Sequence, residues 1–251
     1  MLSLRARGLR LIMRRAKPTE ERTLEEDREH FKKITRYPPP KTVSCEEITL
    51  GGIPSLRFTP QNPEPGCHIL YLHGGGYMMG SPEIYRSPVG LISHMTHTVV
   101  TAVDYRLAPE NPYPAGIEDC VAAYIALKNE TGSAIAVAGD SAGGGATLAT
   151  AISLRDNHSL SPSCLYMISP WLDLTHSGES MKTKAEVDVM LAPARQTYLL
   201  LCRPLFTCTG VGLARQHAVR ALNHRTSLSH AHAMTSDPTR DQPTQPNQQG
   251  Y

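Results

Sequence analysis

From residue 68 to residue 168, short apolar runs alternate with longer stretches of helical periodicity, and this alternation limits the possible folds more than any other feature. The runs 68–72, 98–103, 134–138 and 164–168 read as strands. Between them, 84–94 and 115–130 read as helices, the second with Ile117, Val121, Tyr124 and Ile125 at helical spacing, and an Ala-rich helix starts near Ser141. A strand that is apolar on both faces must be covered on both, and an intervening helix carries the chain back to lay successive strands parallel. The fold class is therefore α/β, a mostly parallel sheet with helices on both faces. With 251 residues and 40% hydrophobic content, the chain can bury one such core.

The flanks read differently. Thr23 and Glu26 have the spacing of a capping box, which predicts a helix to about Arg36 that Pro38-Pro39-Pro40 stops. Residues 43–50 and 53–58, separated by Gly51-Gly52, read as a hairpin. Residues 1–40 are thus expected to form a helical cap segment and 41–205 an α/β core lacking its last strands. Residues 207–250 contain no Phe, Tyr or Trp and only two acids, Asp237 and Asp241, so 206–251 is expected to be an irregular, disordered tail.

Composition narrows the partners. The net charge is +2, and outside the first turns the basic residues form no dense stripe, which argues against nucleic acid. Arg5, Arg7, Arg10, Arg14, Arg15 and Lys17 stand in an acid-free start without an apolar core. This start is expected to be a surface helix with solvated arginines; a transit segment is the other reading, and it makes a poor secretory signal. No run approaches the roughly 20 apolar residues of a membrane span, so no stable membrane insertion and a cytoplasmic location are expected. The six cysteines, at 45, 67, 120, 164, 202 and 208, lack C-x-x-C spacing and read as reduced core residues rather than metal ligands.

Two glycine-rich segments carry chemistry. Gly139-Asp140-Ser141-Ala142-Gly143-Gly144 follows the strand 134–138 and opens a helix, the strand–turn–helix setting of a nucleophile elbow. A sharp turn there lifts the Ser141 hydroxyl clear of the backbone and leaves the Ala142 N–H at a helix start, where it can stabilise an oxyanion. An ordinary N-cap serine is the plainer reading of Ser141. His73-Gly74-Gly75-Gly76-Tyr77 follows the strand 68–72, the position from which a second set of oxyanion donors comes in this setting. A phosphate-cradling loop is the other reading, which the lack of a following Lys-Ser/Thr disfavours. His73 reads as structural, holding the loop by hydrogen bonds.

The chain resembles the hormone-sensitive-lipase-like carboxylesterases of the α/β-hydrolase fold, which carry H-G-G-G and G-D-S-A-G-G. Asp104-Tyr105-Arg106-Leu107-Ala108-Pro109-Glu110 and Ser169-Pro170-Trp171-Leu172-Asp173-Leu174 fit that family too, and the resemblance runs from about Lys41 to about Pro193. It implies Ser141 as nucleophile, with Gly74, Gly75 and Ala142 as oxyanion donors, and it implies that Asp104 and Asp173 are not the catalytic acid. It implies a small hydrophobic ester with a short or medium acyl or aryl group as substrate, no metal or organic cofactor, and no particular oligomeric state.

The serine needs a histidine to take its proton and a carboxylate to orient that histidine, in the chain order Ser, Asp/Glu, His. Asp237 and Asp241 have no histidine after them, and His217, His224, His230 and His232 sit in the expected tail, so neither role is assigned. The segment after about Leu205 is expected to replace the family's usual ending. A carboxylic ester hydrolase is the first expectation. A non-catalytic small-ligand-binding homologue and a truncated, non-functional fragment are the other two.

Overall fold

A computed structural model of the chain describes residues 3–15, 23–35 and 38–187. Its elements are α1 (Leu4–Arg15), α2 (Leu24–Thr35), β1 (Val43–Leu50), β2 (Ile53–Pro60), β3 (Cys67–Leu72), α3 (Arg86–Thr96), β4 (Val99–Val103), α4 (Ala115–Thr131), β5 (Ala134–Asp140), α5 (Ala142–His158), β6 (Cys164–Ile168) and α6 (Glu179–Thr183). The six strands form one sheet in the order β1-β2-β4-β3-β5-β6. β1, β2 and β4 are antiparallel neighbours, and β4, β3, β5 and β6 run parallel.

Side-chain alternation along β3 shows why helices lie on both faces. Leu70 and Leu72 join Val137 of β5, Tyr124 and Leu127 of α4, and Ala146 and Leu154 of α5 in one fully buried cluster. The residue between them, Tyr71, points the other way and packs with Val100 and Ala102 of β4, Phe58 of β2 and Val89 of α3. A central strand buried on both sides is the arrangement its continuous apolar sequence demands. The α/β fold class holds.

Local expectations hold where short-range chemistry decides them. Thr23 N–H donates to Glu26 Oε2 at 2.8 Å and Glu26 N–H to Thr23 Oγ1 at 3.3 Å, the reciprocal capping box at the start of α2. Leu50 pairs with Ile53 across Gly51-Gly52, whose φ values of 62° and 85° make the two-residue turn of a hairpin. Helix α3 starts two residues later than its periodicity suggests. The turn bonds Ile84 N–H to Ser81 O and Tyr85 N–H to Pro82 O occupy the segment before it.

The cysteines need correcting. All four described ones are free thiols, yet only Cys120 is buried; Cys67 and Cys164 are exposed and Cys45 half-buried. Cys67 and Cys164 open β3 and β6, where the chain enters the sheet from a surface loop. Cys202, Cys208, the disordered tail expected over 206–251 and the missing last strands concern residues outside those described.

Candidate active site

Between β5 and α5 the backbone of Ser141 takes φ 51° and ψ −119°, a region that residues with a side chain rarely occupy. The surroundings hold it there. Ser141 N–H donates to Ile168 O at 2.9 Å, and Ser141 O accepts from Trp171 N–H at 2.8 Å, so the end of β6 and the Ser169-Pro170-Trp171 segment clamp both sides of the residue. The flanking glycines are required by approach distance. A Cβ on Gly143 would strike Leu72 O and lie 2.6 Å from His73 O, and one on Gly139 would lie 2.6 Å from Leu72 O. The Gly-x-Ser-x-Gly spacing is thus what lets the first turn of α5 sit against the end of β3. Ser141 itself is exposed and occupies the N-cap position of α5 without a side-chain capping bond.

The triple-glycine segment lies directly alongside. Met78 and Met79 N–H groups donate to Gly75 O at 3.2 and 2.9 Å, folding the loop back on itself. Gly75 sits at φ 127°, and a Cβ there would strike the Met79 carbonyl. His73 is fully buried beneath the loop, with its ring stacked on Tyr105 at 4.4 Å. Burial holds its imidazolium down to about 4, so the ring is neutral near pH 7. Its Nδ1 lies 2.8 Å from Gly74 O, which can only accept, so the proton is on Nδ1. Tyr105 O–H donates to His73 O at 2.6 Å. The structural role expected of His73 holds, and the Asp104–Glu110 stretch supports it through Tyr105.

Asp140, to which the motif alone assigns no role, ties the two segments together. Its Oδ1 accepts from Tyr71 O–H and from Gly74 N–H, both at 3.0 Å, and its Oδ2 accepts from Tyr85 O–H at 2.9 Å. Burial, with the Asp140 charge adding to it, raises both phenols well above their usual range, so both stay protonated and donate. Gly74 N–H also faces Tyr85 Oη at 3.1 Å. The Gly74 N–H, expected to serve as an oxyanion donor, thus faces Asp140 and Tyr85 here. Among the described residues, no protein acceptor meets the N–H groups of Gly75, Gly76 or Ala142.

An apolar wall stands beside this pair of segments. Met78 and Ala108 are buried there, with Leu24, Tyr77, Met79, Tyr113 and Leu174 packed against them. The rings of Tyr77 and Trp171 lie 6.0 Å apart, and both residues reach Gly145 on the first turn of α5. Helix α2 closes this side. Arg28 donates to Met78 O at 2.8 Å, to Ala108 O at 3.1 Å, and to both carboxylate oxygens of Glu110 at 2.7 and 2.8 Å.

Asp173 and Asp104 have surroundings of their own. Asp173 accepts from the backbone and hydroxyl groups of Thr175 and Ser177, which makes it the cap of its own turn. Burial opposes its charge, but those hydrogen bonds outweigh it and hold the carboxyl well below the usual range. Asp104 lines a separate cleft with Glu47, Ser55 and Glu83, and Ser141 is not part of that lining. Among the described residues no group of side chains is arranged to hold a metal. His217, His224, His230, His232, Asp237 and Asp241 lie outside the described residues.

Comparison with known proteins bears on the same segments. A family model described as alpha/beta hydrolase fold matches residues 69–242. An acetyl-hydrolase of Streptomyces hygroscopicus is 38% identical over 149 residues, which is 59% of this chain and 50% of that protein. An esterase of Acinetobacter venetianus is 33% identical over 158 residues, 62% of this chain and 52% of that protein. The chain thus spans about half the length of these relatives. Among solved structures, EstE5 soaked with ethyl alcohol superposes with a TM-score of 0.77 at 35% identity, covering 84% of this chain and 71% of that one. A hormone-sensitive lipase from a metagenome library gives 0.74 at 35% identity, covering 81% and 69%.

Proposed function

Because the chain belongs to the hormone-sensitive-lipase-like carboxylesterases of the α/β-hydrolase fold family, we propose that it cleaves short or medium acyl or aryl esters through an acyl-Ser141 intermediate. The observation that carries this reading is the strained, exposed Ser141 beside backbone N–H groups that nothing else uses. Ser141 Oγ attacks the ester carbonyl, and the carbonyl oxygen becomes an oxyanion. Gly75, Gly76 and Ala142 donate to it, and the N-terminus of α5 adds its partial positive charge. Gly74 has a different part: its N–H, held by Asp140, keeps the loop at the height of the serine. Collapse of the intermediate expels the alcohol and leaves the acyl group on Ser141, which water then releases.

The proton acceptor and its carboxylate follow the serine in chain order in this fold. The histidines at 217, 224, 230 and 232 precede Asp237 and Asp241, the reverse of that order, and neither role is assigned. Residues 1–40 are read as a cap over the acyl side of the site, supported by Leu24 in the apolar wall and by Arg28 on Met78 and Ala108. A reducing compartment, the cytoplasm, fits the four free thiols. No helix among the described residues is long and apolar enough to cross a membrane.

A fluorophosphonate probe tests the proposal directly. The folded chain is expected to be labelled at Ser141, Ser141→Ala to be unlabelled, and p-nitrophenyl acetate to be hydrolysed by the former only. A chain that melts cooperatively yet neither labels nor turns over, while short esters raise its melting temperature, would replace the esterase with a ligand-binding homologue. A chain without a cooperative melt would be a fragment.

A further inference from the structure

At the base of the triple-glycine loop, one phenol touches both the loop and the carboxylate that holds it. Tyr85 Oη lies 2.9 Å from Asp140 Oδ2 and 3.1 Å from Gly74 N. Tyr71, the other phenol on this carboxylate, donates to Asp140 Oδ1 at 3.0 Å. The Tyr85 hydroxyl carries one proton, and the carboxylate has none to offer, so that proton goes to Asp140. Its lone pair is then what accepts from Gly74 N–H, and the hydroxyl bridges the two. A Cβ on Gly74 would strike Asp140 Oδ2 and lie 2.9 Å from Tyr85 Oη, so the loop is pinched between these side chains.

The phenol is held from outside the loop. Tyr85 N–H donates to Pro82 O at 3.1 Å, and Tyr85 O accepts from Val89 N–H at 3.0 Å, which fixes the backbone at the start of α3. Val89 is fully buried against Phe58, Val100 and Ala102 of the sheet. Arg86, the next residue, pairs with Glu83 and donates to Cys45 Sγ of β1 at 3.1 Å. The Tyr85 ring lies 6.0 Å from that of Tyr71 and 5.8 Å from that of His73. The position of Tyr85 Oη is therefore set by the docking of α3 on the sheet, and a close-packed interior passes that position on to whatever the hydroxyl grips.

We propose that Tyr85 is a positioning residue for the reaction at Ser141: its hydroxyl fixes Gly74, and through it the Gly75 and Gly76 N–H groups, at the height where the oxyanion forms. The inference rests on the acyl-Ser141 reading given above. Donors already in place need no reorganisation when the charge appears, and that benefit exists in the transition state and not in the bound ester. Without the hydroxyl, Gly74 N–H keeps Asp140 Oδ1, but Oδ2 loses the donor that Tyr85 supplies and the carboxylate is free to turn. The loop then has to settle as the oxyanion forms. The cost falls on kcat rather than on KM.

Tyr85→Phe in the full chain tests this, since it removes the hydroxyl and keeps the ring. Tyr124→Phe is the control: it deletes another phenol hydroxyl, bonded to Ser161 O at 3.0 Å and remote from the loop. With p-nitrophenyl acetate, Tyr85→Phe is expected to lower kcat about tenfold and to leave KM within about twofold of wild type. Fluorophosphonate labelling should slow by the same factor. Tyr124→Phe should cost stability and keep the wild-type kcat. Hydrogen exchange needs no turnover: peptides covering 73–79 should exchange about tenfold faster in Tyr85→Phe, while 86–96 keep their protection. A wild-type kcat in Tyr85→Phe, a change confined to KM, or an equal loss of kcat in Tyr124→Phe overturns the proposal. A wild-type chain that neither labels nor hydrolyses sinks the ester reading instead, and exchange then decides the rest. Faster exchange over 73–79 would keep Tyr85 as the anchor of the loop, and unchanged exchange would remove it.

Discussion

Three donors converge on the Asp140 carboxylate, and their loss should be felt well beyond one contact. Asp140→Ala strands the Tyr71 and Tyr85 hydroxyls and the Gly74 N–H in a largely buried place, at a cost of about 2–4 kcal/mol. Asp140→Asn keeps an acceptor for Gly74 and Tyr71 and turns an amide donor toward Tyr85, so it should cost only about 1 kcal/mol. Urea unfolding of the two variants separates them. Equal losses would mean that the carboxylate is not the point of convergence. Gly143→Ala is harsher, because the obstruction is backbone on both sides, at Leu72 and His73. It should cost roughly 3 kcal/mol or more, read as lost soluble yield or a collapsed melting temperature. Normal stability in that variant would contradict the close approach of α5 to the end of β3.

At the scale of elements, the docking of α2 depends on one side chain. Arg28 is mostly buried at the side chain and spans two carbonyls and a carboxylate that are contributed by different loops. Arg28→Ala should leave the sheet intact and let α2 exchange its amide hydrogens faster by about one order of magnitude, the effect of losing roughly 1–2 kcal/mol of local stability. Hydrogen exchange followed by mass spectrometry reads this peptide by peptide. Unchanged protection in 24–35 would mean that Leu24 and the capping box suffice to hold the helix. The capping box was readable from Thr23 and Glu26 because its bonds close within one turn. The late start of α3 was not, because the turn bonds around Ser81 and Pro82 compete with a periodicity that continues through them.

For the molecule as a whole, two buried histidines set the response to acid. Burial holds both His73 and His68 down to about 4; the latter also faces the Arg57 charge, and its Nε2 lies 3.0 Å from Thr101 Oγ1. In the unfolded chain a histidine titrates near 6.5, so between about 6.5 and 4 the unfolded state binds more protons than the folded one. Their contribution to stability is therefore complete above about pH 6.5 and is lost as pH falls through that window, by about 3 kcal/mol for each ring. Urea unfolding at pH 7 and pH 5 should show the loss, and His68→Gln should halve its slope. A flat profile would mean that the rings are hydrated. Strands, helices and the elbow were legible in the residues themselves, because period-two and period-3.6 burial and the clearance at Gly139 and Gly143 are properties of short stretches of chain. Which loop N–H groups remain free was decided only by the tertiary structure. Gly74 loses its donor to Asp140, 66 residues away, which Tyr85 grips from 55 residues away, while Arg28 reaches Glu110 across 82. Hydrogen bonds between distant residues exist only once packing has brought the side chains together, and no local spacing encodes them.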